Sequence, residues 1–198
     1  RLTVDGDYAY VADDASGLQG IDISNPASPM PVGSYDTSGN AYGEAVDAGY
    51  AYVADGATGV QVIRAATPMS PALAGNCDTP GTAYDVTICG DYAYVADYGS
   101  GLQAIDITDP ASPALAGSYD TPGFAHAVAI DGDYAYVTDL NSGLMVVNIT
   151  NPASPTFAGS CNTPDRAFDV AISGNYAYVA DGYTGLVVLD ITNPAIPT

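Results

Sequence analysis

The chain has 198 residues and a formal charge of −20, with 23 acids against three bases, Arg1, Arg64 and Arg166, and no Lys. Such a surface repels nucleic-acid phosphates and anionic membranes, which are held by Lys and Arg. No apolar run approaches the ~20 residues that cross a bilayer. The composition suits an extracellular surface, a salty medium or bridging by divalent cations.

The hexad Tyr92-Ala93-Tyr94-Val95-Ala96-Asp97 recurs from Tyr8, Tyr50, Tyr134 and Tyr176, with Thr138 in place of Ala in one copy. Every step is 42 residues, a period that signals a repeat architecture. Each unit reads as four short strands in order. The first alternates, as in Ala83 to Ile88, and ends in a tight turn such as Asp5-Gly6-Asp7 or Gly90-Asp91. Asp-Gly and Gly-Asn pairs favour two-residue hairpin loops. The hexad is the second strand, rich in aromatic and β-branched residues. A short loop then reaches a Gly present in every unit (Gly17, Gly59, Gly101, Gly143, Gly185). The third strand, as in Leu186 to Ile191, is nearly continuous in apolar residues, which predicts burial on both faces. Two prolines in fixed columns, such as Pro110 and Pro113, break the pairing before a short fourth strand, Ala114 to Tyr119 in the third unit. A link such as Asp120 to Gly123 crosses to the next unit.

Four strands in about 42 residues, repeated, predict an all-β chain folded as a β-propeller. We expect one repeat domain over 1–198, with blades at about 1–40, 41–82, 83–124, 125–166 and 167–198 and the fifth incomplete. The columns filled by Pro31 to Tyr42 in the first unit have no counterpart in the fifth. The expectation is that a longer polypeptide, or a strand from a neighbouring molecule, completes that sheet by edge addition. Alternating Ala and Tyr fit this architecture, because Ala9, Ala51 and Ala93 let neighbouring sheets approach while the Tyr rings fill the wedge between them. Cys77, Cys89 and Cys161 fall in blades or strands too far apart to bridge, so no disulfide is expected.

The run Leu186-Val187-Val188-Leu189-Asp190-Ile191-Thr192-Asn193-Pro194 resembles the motif that names the LVIVD-repeat family. The hexad, the Gly-Leu pair and the Asp-Thr-Pro-Gly link fit that family's unit as well, over essentially the whole chain. The second unit departs from it, with Arg64 in place of the Asp and Ala66 beyond it where the other units carry a polar residue. The resemblance implies a propeller from secreted or cell-surface bacterial and archaeal proteins, and it implies no catalytic residues.

The most regular polar column is Asp13, Asp55, Asp97, Asp139 and Asp181. An Asp in every unit builds the unit, and we expect each carboxylate to accept N–H groups from the loop leading to the repeated Gly. A ring of calcium ligands is the alternative; otherwise no cofactor and no metal site is implied. His126 shares a column with Tyr42, Tyr84 and Phe168 and reads as a packing ring. Glu44, Asp85 and Asp169 stand at the starts of first strands, near the channel, where paired carboxylates run glycoside hydrolysis. Glu44 is one residue out of column with the other two, which points it to a different face. The expectation is therefore a non-catalytic extracellular or cell-surface scaffold for binding, adhesion or self-assembly into filaments, with itself or a surface protein or glycan as partner. A carbohydrate-active hydrolase is the alternative.

Overall fold

A computed structural model describes residues 1–198. The first repeat forms a meander of β1 (Leu2–Asp5), β2 (Tyr8–Ala12), β3 (Leu18–Asp22) and β4 (Met30–Tyr35), paired antiparallel in that order. The second repeats it with β5 (Gly43–Asp47), β6 (Tyr50–Ala54), β7 (Val60–Arg64) and β8 (Ala72–Cys77). The third comprises β9 (Asp85–Cys89), β10 (Tyr92–Ala96), β11 (Leu102–Asp106) and β12 (Ala114–Tyr119). The fourth comprises β13 (Ala125–Asp131), β14 (Tyr134–Asp139), β15 (Gly143–Asn148) and β16 (Thr156–Cys161). The fifth has only three strands, β17 (Ala167–Ser173), β18 (Tyr176–Asp181) and β19 (Gly185–Asp190). All five hexads are thus second strands, as the repeat predicts.

Two-residue loops close the first hairpins, with Gly6, Gly90, Gly132 and Gly174 at φ of 54° to 58°. This left-handed region is open to Gly at no steric penalty. In the second blade Ala48 takes the same place at φ 48°. Each complete blade has a bulge between its third and fourth strands, as at Ala104/Ile105. Opposite it sits a Gly that the Pro loop of the next blade touches: a Cβ on Gly75 would lie 2.6 Å from the Pro110 carbonyl.

The core is divided among four blade-to-blade joints. The first joins Tyr10, Ala12 and Leu18 of blade 1 to Ala51, Val53, Ile63 and Ala65 of blade 2. The other three repeat this pairing for blades 2 and 3, 3 and 4, and 4 and 5. The small Ala of the leading face meets the Tyr ring of the trailing face, as the alternation requires. Tyr10 donates its hydroxyl proton to the Ala65 carbonyl at 2.9 Å. Burial pushes the equivalent Tyr94 phenol up to about 12. Third strands β7 and β11 are buried on both faces. Blades 1 and 5 make no comparable joint with each other, and Leu2, Val4, Leu186 and Val188 on their outer faces are exposed. All three cysteines are free thiols.

Candidate functional site

The first strands β1, β5, β9, β13 and β17 lie side by side around the central channel. Their starting residues therefore meet at one mouth. One column, just before β5 and β9 and second in β13 and β17, supplies an aromatic rim: Tyr42 stacks on Tyr84 at 4.8 Å, Tyr84 lies 5.0 Å from His126, and His126 meets Phe168 edge-on at 5.5 Å. Tyr98 and Phe124 extend the rim outward, with Tyr98 5.2 Å from Tyr84 and stacked on Phe124 at 4.4 Å. His126 Nδ1 donates to the Phe168 carbonyl at 2.7 Å, which leaves Nε2 free. His126 is thus packed as expected, but on a partly exposed surface rather than in the interior.

Beneath the rim lies a cavity of about 280 Å³ lined by Arg1, Asp85, Ala127 and Asp169 as well as the rings. Arg1, Gly43, Asp85, Ala127 and Asp169 are one column of the repeat. Arg1 reaches past blade 2 to form an ion pair with Asp85 of blade 3. Gly43 makes the room: a Cβ there would lie 2.8 Å from Asp85 Oδ1. Asp85 also accepts from the Val86 N–H at 2.9 Å and the Val128 N–H at 3.0 Å. Burial pushes its carboxyl above the ordinary value, while the Arg1 charge and the two N–H bonds oppose the shift. Asp169 is exposed and accepts only the Val170 N–H, through Oδ1 at 2.8 Å, so its second oxygen faces the mouth unpartnered.

Arg1 also borders a second cavity, of about 440 Å³, with Thr3, Glu44 and Asp47. Glu44 is 1% exposed. Its Oε2 accepts the Ala12 N–H of blade 1 at 3.2 Å and its Oε1 has no partner. Desolvation pushes its carboxyl up. Asp85 and Asp169 therefore share the mouth, while Glu44 turns into the joint between blades 1 and 2.

The Asp column corrects one expectation. The carboxylates grip mainly the link arriving from the preceding blade, not their own loop. Asp97 accepts the Thr79 hydroxyl at 2.7 Å and the Gly81 N–H at 2.8 Å. Asp55 takes the Gly39 N–H at 2.8 Å, Asp139 the Gly123 N–H at 2.7 Å, and Asp181 the Asp165 N–H at 3.0 Å. Asp139 adds the N–H of Asn141 in its own loop at 3.3 Å. Asp13, in the first blade, is exposed. Nowhere do three His, Cys, Asp or Glu side chains converge as a metal's donor set.

The LVIVD-type run carries local chemistry of its own. Asp22, Asp106 and Asp190 accept the N–H two residues on, at 2.8–2.9 Å, and hydrogen bonds from Ser24, Thr108 and Thr192 hold their carboxyls below the ordinary range. Asn25, Asp109, Asn151 and Asn193 do the same for the following Ala. These paired Asx turns shape the Pro loop that fills each bulge. Arg64 cannot accept, and its blade lacks the first turn.

Repeated four-stranded blades around a channel, each strapped to the next through an Asp, define a β-propeller. The LVIVD repeat matches five times, at residues 1–37, 38–79, 80–121, 122–163 and 165–198, and the chain belongs to that family. No curated protein matches it. Among solved structures it is similar to the computationally designed Ika8 protein, at 8% identity and a TM-score of 0.76 over 97% of this chain and 58% of that one. It is also similar to a functionally unknown protein from Desulfotomaculum acetoxidans, at 15% identity and a TM-score of 0.73 over 96% and 64% of the two chains. A third likeness is to a Bacteroides fragilis protein provisionally described as a 6-phosphogluconolactonase, at 14% identity and a TM-score of 0.77 over 95% and 65%. At these identities the likeness is one of fold. The chain spans 58–65% of the length of those three proteins.

Proposed function

We propose that the protein is a non-catalytic scaffold, outside the cell or on its surface, that binds a second copy of itself through the exposed apolar faces of blades 1 and 5. One observation carries this reading. Leu2 and Val4 on the leading face of blade 1 are 56% and 55% exposed, and Leu186 and Val188 on the trailing face of blade 5 are 65% and 49% exposed. Three of these columns are closed inside the arc, where Val86, Val128, Leu102 and Val146 are all 0% exposed, while the Val4 column is half-buried there at Ile88 and Ile130. Apolar faces of this kind mark protein contacts. Head-to-tail use of two unlike faces builds open chains.

Against a hydrolase stands the state of the mouth carboxylates. Acid–base cleavage of a glycoside needs two of them free to act, and Asp85 is committed to Arg1 and two N–H groups. The excess of Asp without Lys supports an extracellular place.

Sedimentation tests the assembly. Wild-type protein should grow in mass with concentration. A Leu2→Asp/Val4→Asp variant and a Leu186→Asp/Val188→Asp variant should each stay monomeric, and mixing them should yield a dimer through the one intact pair of ends. A wild-type protein that remains monomeric at millimolar concentration, or a mixture that forms nothing, would refute it.

A further inference from the structure

We propose that the channel mouth is a binding site for a neutral oligosaccharide, a role independent of the assembly at the ends. Sites for small ligands are concave, aromatic-lined and set with a few converging polar groups. The mouth has this form. Phe168 stands between the mouth's cavity of about 280 Å³ and a separate groove of about 600 Å³ lined by Asp165, Arg166, Gly182 and Tyr183. Phe168 borders both, so a ligand longer than one sugar ring can lie across it.

The ring geometry selects the ligand class. Tyr42 and Tyr84 are nearly parallel, at 7°, and Tyr98 and Phe124 at 15°, so the inner faces are covered by one another. What remains open is the outer face and edge of the terminal rings: Tyr42 is 37% exposed, Phe124 38% and Phe168 39%. A cage for a lone cation needs several faces turned on one point, and this rim does not provide that. Single separated platforms suit the apolar face of a sugar ring, which is flat and bordered by hydroxyls.

Hydroxyl partners surround those platforms. The free oxygen of Asp169 accepts, Nε2 of His126 accepts when the ring is neutral, and the phenols of Tyr42 and Tyr84 can do either. Arg166 supplies N–H donors beside Phe168 and Tyr183 in the adjoining groove. Charge then decides between sugars. Arg1 is neutralised by Asp85, Asp165 offsets Arg166, and Asp169 is left over in a chain of net charge −20. Uronic or sulfated sugars are repelled by that field.

The test is a binding panel of hexaoses of glucose, mannose, galactose and xylose, with hexagalacturonate and chitosan hexamer as charge controls, read by saturation-transfer NMR and calorimetry. At least one neutral hexaose should bind saturably. Phe168→Ala and, separately, Tyr42→Ala should weaken it about tenfold or more. The Leu186→Asp/Val188→Asp variant should bind as wild type does, which separates failure at the mouth from failure at the ends. Circular dichroism establishes that each variant is folded. Absence of binding by every neutral hexaose, tighter binding of either charged hexamer, or binding indifferent to both ring substitutions would overturn the proposal.

Discussion

Leu102 and Leu186 occupy the same column of the repeat and differ in everything but sequence position. Leu102 lies in the joint between blades 3 and 4 and is 0% exposed, whereas Leu186 stands on the trailing face of blade 5 and is 65% exposed. Asp97 and Asp13 form a second such pair, the first strapped to a link, the second in solvent. A repeat therefore does not carry its stability alone. The energy resides in the joint, and a blade at an end owns half of one. This is the nearest-neighbour logic of repeat proteins.

The largest expected effect sharpens the first pair. Leu102→Ala should destabilise by about 2–5 kcal/mol, as buried truncations do, while Leu186→Ala should stay within about 0.5 kcal/mol at low protein concentration. Chemical denaturation measures both. Equal losses would mean that blade 5 is covered within the single chain.

The second pair should separate less. Asp97→Ala leaves the Thr79 hydroxyl and the Gly81 N–H without their acceptor, a loss of about 1–3 kcal/mol. Asp13→Ala removes no observed bond and should change stability by about 0.5 kcal/mol or less. A matching loss at Asp13 would show that its carboxylate serves its own loop after all, as the sequence alone suggests.

The smallest effect is a pH dependence. Burial raises the carboxyls of Asp97, Glu44 and Asp85 in the folded protein. A raised acid binds its proton more tightly when folded, so its contribution is fully present below the unfolded value near 4 and fades as pH rises through the folded value. Relief of self-repulsion at a net charge of −20 acts in the same sense. The lowered carboxyls of Asp22, Asp106 and Asp190 act oppositely, but they are fully exposed and weak. The Tm should therefore rise modestly as pH falls from 7 toward the unfolded carboxyl value near 4, more for wild type than for Asp97→Ala. A falling Tm over that interval would contradict the burial argument.

Much of this was legible in the sequence because the period of 42 residues puts equivalent positions in register. The hexad as second strand, the missing fourth strand of blade 5 and the Ala–Tyr pairing at the joints all follow from columns. What columns could not show is contact between residues distant in sequence. Arg1 reaches Asp85 across 84 residues, and nothing local marks that pair except their common column. The Asp straps reach back 16 to 18 residues to the link, so the local Asx reading named the wrong donors. The aromatic column was visible as Tyr42, Tyr84, His126 and Phe168, but only geometry shows that its terminal rings are open at a mouth.

Hydrogen exchange measured at low and high protein concentration tests the contrast between joints and ends most directly. Leu2–Asp5 and Gly185–Asp190 should exchange fast when dilute and gain protection as concentration rises, while Tyr92–Ala96 stays protected throughout. Terminal strands that are as protected as the interior when dilute, or that show no dependence on concentration, would contradict the account.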